Sequence, residues 1–132
     1  MAEAFKLRIV TPEREFFAGE ADMVELTTSE GDIGVYAKHI PMTAIVSPGV
    51  LKIHQGGEIR KAALHAGFVE IQPDAVTIMA EIAEWPEEID VNRAKEAQDR
   101  AERRLRERTA DIDIMRAEYA LKRALARLGS RM

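Results

Sequence analysis

The stretch Glu88-Ile89-Asp90-Val91-Asn92-Arg93-Ala94 divides the chain into two kinds of pattern. Before it, apolar residues alternate and turn residues recur every ten positions or so. After it there is no proline, and no glycine until Gly129, so a charged helical pattern runs to Met132. Asp90 suits a helix N-cap, because its carboxylate accepts the unsatisfied N–H groups of the first turn and complements the positive end of the helix dipole. Pro86, Glu87 and Glu88 fit a chain that leaves one unit and starts a helix. A domain boundary is therefore expected here, with 1–86 before it, 87–132 after it, and a ligand site lying on it.

Upstream of this boundary, Phe5, Leu7 and Ile9 alternate with Lys6, Arg8 and Val10, the period-2 pattern of a half-buried strand. Glu15 to Ala18 reads as a strand that Gly19 interrupts. Met23 to Thr28 alternates, and Ser29 to Asp32 is a turn before a short strand, Ile33 to Tyr36. Ala37 to Pro41 is a loop, followed by strands Met42 to Val46 and Val50 to His54 around Ser47-Pro48-Gly49. Gly56-Gly57 supplies the positive φ angles of a tight hairpin. Ile59 to Leu64 and Phe68 to Ile71 follow, and Val76, Ile78 and Ala80 make the last expected strand. Eight or more short strands with no helix between them predict an antiparallel sandwich or barrel.

Downstream, Val91, Ala94, Ala97/Gln98, Ala101 and Leu105 fall on one helical stripe. Ile114, Ala117, Leu121, Ala124, Leu125 and Leu128 form a second. Thr109-Ala110-Asp111 offers a break, with Asp111 as a second N-cap, and so short a link predicts an antiparallel two-helix hairpin. The first stripe is rich in alanine, so at roughly 25 cal/mol per Å² the seam contributes only a few kcal/mol. A hairpin held that weakly would open if something else competed for its faces; an ordinary stable hairpin is the plain alternative.

The 132 residues are 46% hydrophobic and 32% charged, the balance of a globular protein. No apolar run approaches the roughly 18 residues of a membrane helix, and the N-terminus lacks signal or transit composition. The absence of cysteine excludes disulfides, thiolate metal sites and cysteine nucleophiles, and suits a reducing, bacterial cytoplasmic setting. Residues 1–86 carry 7 Lys/Arg against 13 Asp/Glu, whereas 87–132 carry 12 against 10, so the two parts face different partners. His39, His54 and His65 show neither metal-ligand spacing nor a nearby carboxylate pattern, and read as strand or loop histidines. Gly31-Asp32-Ile33-Gly34 lacks the Gly-Lys-Ser/Thr of a phosphate loop. Neither a catalytic centre nor a metal site is expected.

Arginine is the positive signal. Arg93 and Arg100 lie two helical turns apart on one face, and Arg116, Arg123 and Arg127 share a side of the second helix. Folding the hairpin brings the two rows around an anion, with guanidinium forks matching phosphate oxygens. The plain alternative is a solvated helix laced with i,i+4 pairs such as Glu102/Arg106. Nucleic-acid binding is a third use, but Glu96, Asp99, Glu102 and Glu107 interrupt the basic row.

Taken together, several segments are similar to the epsilon subunit family of the bacterial rotary (F-type) ATP synthase. They are Ile9-Val10-Thr11-Pro12, Glu30-Gly31-Asp32-Ile33-Gly34-Val35 with His39-Ile40-Pro41, Gly67-Phe68-Val69-Glu70-Ile71, Val76-Thr77-Ile78-Met79-Ala80-Glu81, and Ile89-Asp90-Val91-Asn92-Arg93-Ala94. The resemblance covers essentially the whole chain. It implies a ten-strand sandwich followed by a helical hairpin, in a non-catalytic central-stalk subunit that couples rotation to ATP synthesis and inhibits ATP hydrolysis. The implied partners are the gamma subunit, the membrane rotor (c) ring and the alpha and beta subunits, on the cytoplasmic face of the bacterial membrane. Arg103, Arg104, Arg106, Arg108, Arg116 and Lys122 would meet acidic segments of the beta subunits.

The segment 89–94 resembles the Ile/Leu-Asp-x-x-Arg-Ala motif with which some members bind ATP as a regulatory ligand, no cofactor being required. By that resemblance Ile89, Asp90 and Ala94 border the adenine. Arg93, Arg100, Arg123 and Arg127 reach ribose and phosphates, and Glu84 is a further contact. The chain departs from the family in three places: His65-Ala66-Gly67-Phe68 replaces Ser-Gly-Gly-Phe, Tyr36-Ala37-Lys38-His39 replaces Leu-Pro-Gly-His, and Trp85-Pro86 precedes the boundary. A free-standing ATP-sensing module is the alternative function.

Overall fold

A computed structural model describes residues 3–107 and 111–132, with only the backbone described at 111–113. Ten strands precede two helices. The strands are β1 (Phe5–Val10), β2 (Glu15–Ala21), β3 (Met23–Thr28), β4 (Gly31–Tyr36), β5 (Met42–Val46), β6 (Gly49–Gln55), β7 (Glu58–Leu64), β8 (Gly67–Ile71), β9 (Ala75–Ala80) and β10 (Ala83–Glu84). A 3-10 turn, Pro86–Glu88, leads into α1 (Val91–Glu107) and α2 (Asp111–Ser130).

Alternation decides which face each strand buries. Phe5, Leu7 and Ile9 of β1 are buried while Lys6 and Arg8 are exposed, and Val24 and Leu26 of β3 point inward likewise. The strands run in the order β10-β7-β6-β3-β5-β8-β9-β1-β2, with β4 on the free edge of β3. β3 is the join: its start pairs with β6, and its end touches β5 through Thr28 and Val46. Neighbours are antiparallel except β1 and β9, which run parallel. No hairpin links those two, so nothing local dictates their direction. Side chains from both layers, among them Leu7, Ile9, Leu51, Ile53, Ile71 and Ile78, fill one core.

Two expectations need correction. Gly19 does not interrupt β2, which continues to Ala21; a Cβ at Gly19 would sit 3.2 Å from the Phe17 ring, so the glycine makes room for an aromatic within the strand. Nor is β9 the last strand, because Ala83 and Glu84 pair with Leu64 and Ala63 at the sheet edge. Two residues are too few to show a period. In the loop after β4, Lys38 adopts φ 64, the left-handed region glycine favours, while its N–H donates to Pro73 O at 2.6 Å.

The register between β1 and β2 shifts at Ile9/Val10, so Phe16 and Phe17 are both buried rather than alternating. This bulge turns Phe16 against Trp85, with ring centroids 4.1 Å apart and planes 18° from parallel. The Arg60 guanidinium covers the Trp85 ring at 4.0 Å. Trp85 is thus clamped to the sandwich just where the chain leaves it.

Both helices are short of large apolar residues where they meet. Ala94 and Ala101 of α1 and Ala117 and Ala124 of α2 are buried, as the alanine stripe predicts. Leu125, assigned to the stripe from sequence, is 47% exposed, and Ala126 is buried in its place. The reason is that α2 has two contacts to satisfy. Besides α1, it lies against β6 and β7, and Ala126 packs with Ala63 and Ile89 in a second small core. The end of α2 is tied down by Arg131, which donates to Pro86 O at 3.0 Å, and by Lys61, which donates to Met132 O at 2.9 Å. The break at Thr109-Ala110 lies outside the described residues, as does the side chain of the proposed cap Asp111.

Candidate functional site

Asp90 caps α1 as its position suggests: Oδ1 accepts from the Arg93 N–H at 3.1 Å, and its carbonyl accepts from the Ala94 N–H at 3.0 Å. Starting the helix there fixes the direction of its first two turns. Arg93, Ala94, Ala97 and Arg100 consequently face back toward the end of the sandwich. The docked end of α2 supplies Arg127, and β10 supplies Glu84.

These residues enclose a cleft of about 360 Å³, lined by Glu84, Glu88, Ile89, Asp90, Arg93, Ala94, Ala97, Arg100 and Arg127. One part of the lining is apolar and low, made by Ile89, Ala94 and Ala97. The other carries three guanidinium groups. The volume lies at the lower end of the range for small-molecule sites.

Charge in the cleft is not evenly compensated. Arg14 holds Glu88 through Nη2, at 2.8 and 2.9 Å from its two carboxylate oxygens, and the Trp85 N–H donates to Glu88 Oε1 at 2.9 Å. Glu84 Oε1 accepts from Arg127 Nε at 2.7 Å and lies 3.0 Å from His65 Nε2. Arg93 and Arg100 form no ion pair among the described residues. Two of the three lining carboxylates are therefore neutralised by neighbours and the third, Asp90, is turned to the first N–H groups of α1, while the Arg93 and Arg100 guanidiniums form no ion pair among the described residues, an arrangement that attracts an anion.

The hydrogen bond from His65, then Arg127, holds the Glu84 carboxyl below its ordinary value against the opposing effect of burial. Glu88 is lowered chiefly by its hydrogen bond with Arg14 and then by the Trp85 N–H. For a carboxylate depressed by folding, the stabilisation is complete above the unfolded value, about 4.3, and fades as pH falls through the folded value. The linker clamp and the seat of α2 should therefore loosen in acid below that range, and stay intact from there upward. Trp85 is the single tryptophan, so its emission should shift red on titration to pH 3, and Glu88→Gln should move part of that shift to neutral pH. Emission that stays constant until the sandwich itself unfolds would contradict the clamp.

Of the eight residues the resemblance assigned to ATP, the cleft gathers seven: Glu84, Ile89, Asp90, Arg93, Ala94, Arg100 and Arg127. Arg123 is not among the lining residues; its guanidinium lies 5.1 Å from the Tyr119 ring centroid on α2. Arg103, Arg104, Arg106 and Arg116 are exposed on the helices. Lys122 is exposed too, and borders a separate cleft against Thr27, Ser29 and Ser47. Arg108 lies outside the described residues. Sequence reasoning missed His65 and Arg14. His65, read as a histidine without a carboxylate, is buried against Glu84, and His54 Nε2 lies 2.7 Å from Glu25. Both pairings cross strands, so neither leaves a short-range spacing to read. No cluster able to hold a metal ion occurs among the described residues.

Comparison with known proteins decides the family. The model for the ATP synthase delta/epsilon chain β-sandwich domain matches residues 4–86, and that for the long α-helix domain of the same chains matches 87–129. This chain belongs to the ATP synthase delta/epsilon family. It is 47% identical to the ATP synthase epsilon chain of Ruminiclostridium cellulolyticum, covering 96% of this chain and 94% of that one. It is 43% identical to the epsilon chain of Caldanaerobacter subterraneus subsp. tengcongensis, covering 97% and 94%. In fold it resembles a chain of the Euglena gracilis mitochondrial ATP synthase OSCP/F1/c-ring structure, with a TM-score of 0.81 at 22% identity over 96% of this chain and 79% of the other. A second likeness is to a chain of the Tetrahymena thermophila mitochondrial ATP synthase central stalk and c-ring, at 0.66 and 13%, over 97% and 96%. No helix described in this family member is long and apolar enough to cross a membrane.

Proposed function

We propose that this chain is a central-stalk epsilon subunit that couples rotation to ATP synthesis and restrains ATP hydrolysis through its helices, with ATP stabilising the docked hairpin. It makes no catalytic contribution of its own. Its partners in this reading are gamma, the rotor ring and the alpha and beta subunits, at the cytoplasmic face of the bacterial membrane. The names of its relatives and the assemblies in which its fold neighbours occur support the first part.

The observation that carries the nucleotide part is the composition of the cleft. It needs Glu84 from the sandwich, Arg93 and Arg100 from α1, and Arg127 from α2, and so is complete only while the hairpin lies on the sandwich. A ligand shifts an equilibrium by its differential affinity for the two states. An anionic nucleotide in this cleft therefore favours the compact form, and its loss frees α2 to move. Once extended, the exposed arginines of both helices face an acidic partner.

Calorimetric titration of the isolated subunit with ATP tests the site. Saturable binding is expected, reduced at least tenfold by Arg93→Ala, since one uncommitted guanidinium contributes a charge-assisted bond of roughly 1.5–3 kcal/mol. No heat at millimolar ATP would remove the nucleotide from the account. The inhibitory part has its own test: deleting residues 88–132 in the assembled synthase should raise ATP hydrolysis, and an unchanged rate would refute it.

A further inference from the structure

The imidazole of His65 sits at 1% exposure in the joint between sandwich and hairpin. Its backbone N–H donates to Ile82 O at 3.0 Å, which fixes the residue between β7 and β8. Nε2 lies 3.0 Å from Glu84 Oε1, the same oxygen that accepts from Arg127 Nε at 2.7 Å. Nδ1 is buried with no hydrogen-bond partner. A buried polar atom without a partner is costly, and an apolar residue would avoid that cost.

We infer that His65 is a positioning residue of the nucleotide site: through Glu84 it aims Arg127 at the phosphates. The inference rests on the reading of the cleft as a nucleotide site. Two donors on one oxygen fix the Glu84 carboxylate. Arg127 is then held by its Nε edge, and its two Nη groups are left for the cleft that it lines.

ATP titrations of the intact wild-type chain, His65→Gln and His65→Leu at about pH 8 test this. Glutamine offers an amide N–H near the position of Nε2; leucine offers no donor. His65→Gln should bind within about twofold of wild type and His65→Leu about fivefold more weakly, the size of one lost hydrogen bond. If leucine binds as wild type does, or glutamine as weakly as leucine, the role of His65 is refuted while the nucleotide site stands. Absence of ATP binding by wild type overturns both. Should the leucine variant fail to fold by circular dichroism, the glutamine variant decides alone, and binding about fivefold weaker than wild type refutes the role.

Discussion

Replacing Gly67 with alanine is expected to destabilise the sandwich by about 3 kcal/mol or more, the upper range for overpacking a tight site. A Cβ at this position would lie 1.9 Å from the Met79 carbonyl oxygen and 2.7 Å from the Ala80 Cα. Both are backbone atoms, so no side chain can rotate away. Gly67 is paired with Ala80 where β8 meets β9, and Val46 of β5 lies on its other side. Relief therefore requires parting strands in the middle of the sheet order. The urea midpoint should fall by at least roughly 1 M with an unchanged slope, for slopes of about 1–3 kcal/mol per M. A midpoint equal to wild type would mean that the strands are not this close.

Gly129→Leu should act on the joint between the units and spare the sandwich. A Cβ at Gly129 meets Val50 Cγ2 at 2.9 Å, and one turn away Ala126 is buried on Ala63 and Ile89. The valine methyl yields to a single added carbon more readily than backbone does. A branched side chain reaches further and must lift α2 from β6. At about 2 kcal/mol for such overpacking, the ratio of docked to undocked hairpin falls roughly thirtyfold. Undocked, α2 is a helix of marginal stability, so its amides report the change. Hydrogen exchange should accelerate along α2 by about that factor and stay unchanged in β1, β8 and β9. Equal acceleration in both units would show that hairpin and sandwich do not separate.

These two glycines also show what sequence can and cannot tell. Alternation and the turn residues between segments together located nine of the strands, most plainly β1 and β3, where buried side chains alternate with more exposed ones. The helix start at Asp90 was legible because a cap is a local device. β10 was not, since a two-residue edge strand has no period and exists only through β7. Leu125 was misassigned to the helix seam for a related reason: a second contact, with the sandwich, rotates the buried face of α2 toward Ala126. The arginines of the cleft follow from helical spacing. The pairings that hold the carboxylates of the cleft do not, for Arg14 reaches Glu88 across 74 positions and Arg127 reaches Glu84 across 43. The bulge that turns Phe16 onto Trp85 likewise depends on a register shift between two strands.

The account turns on whether ATP holds the hairpin against the sandwich. The chain has no cysteine, so Thr43→Cys on β5 and Met115→Cys, at a side chain 70% exposed on α2, place two spin labels without competition. Double electron–electron resonance then reads the distance between the units. The account predicts a single narrow distribution with saturating ATP, and without ATP a broader one that includes longer separations. One and the same distribution in both conditions, in a protein shown calorimetrically to bind ATP, would contradict it.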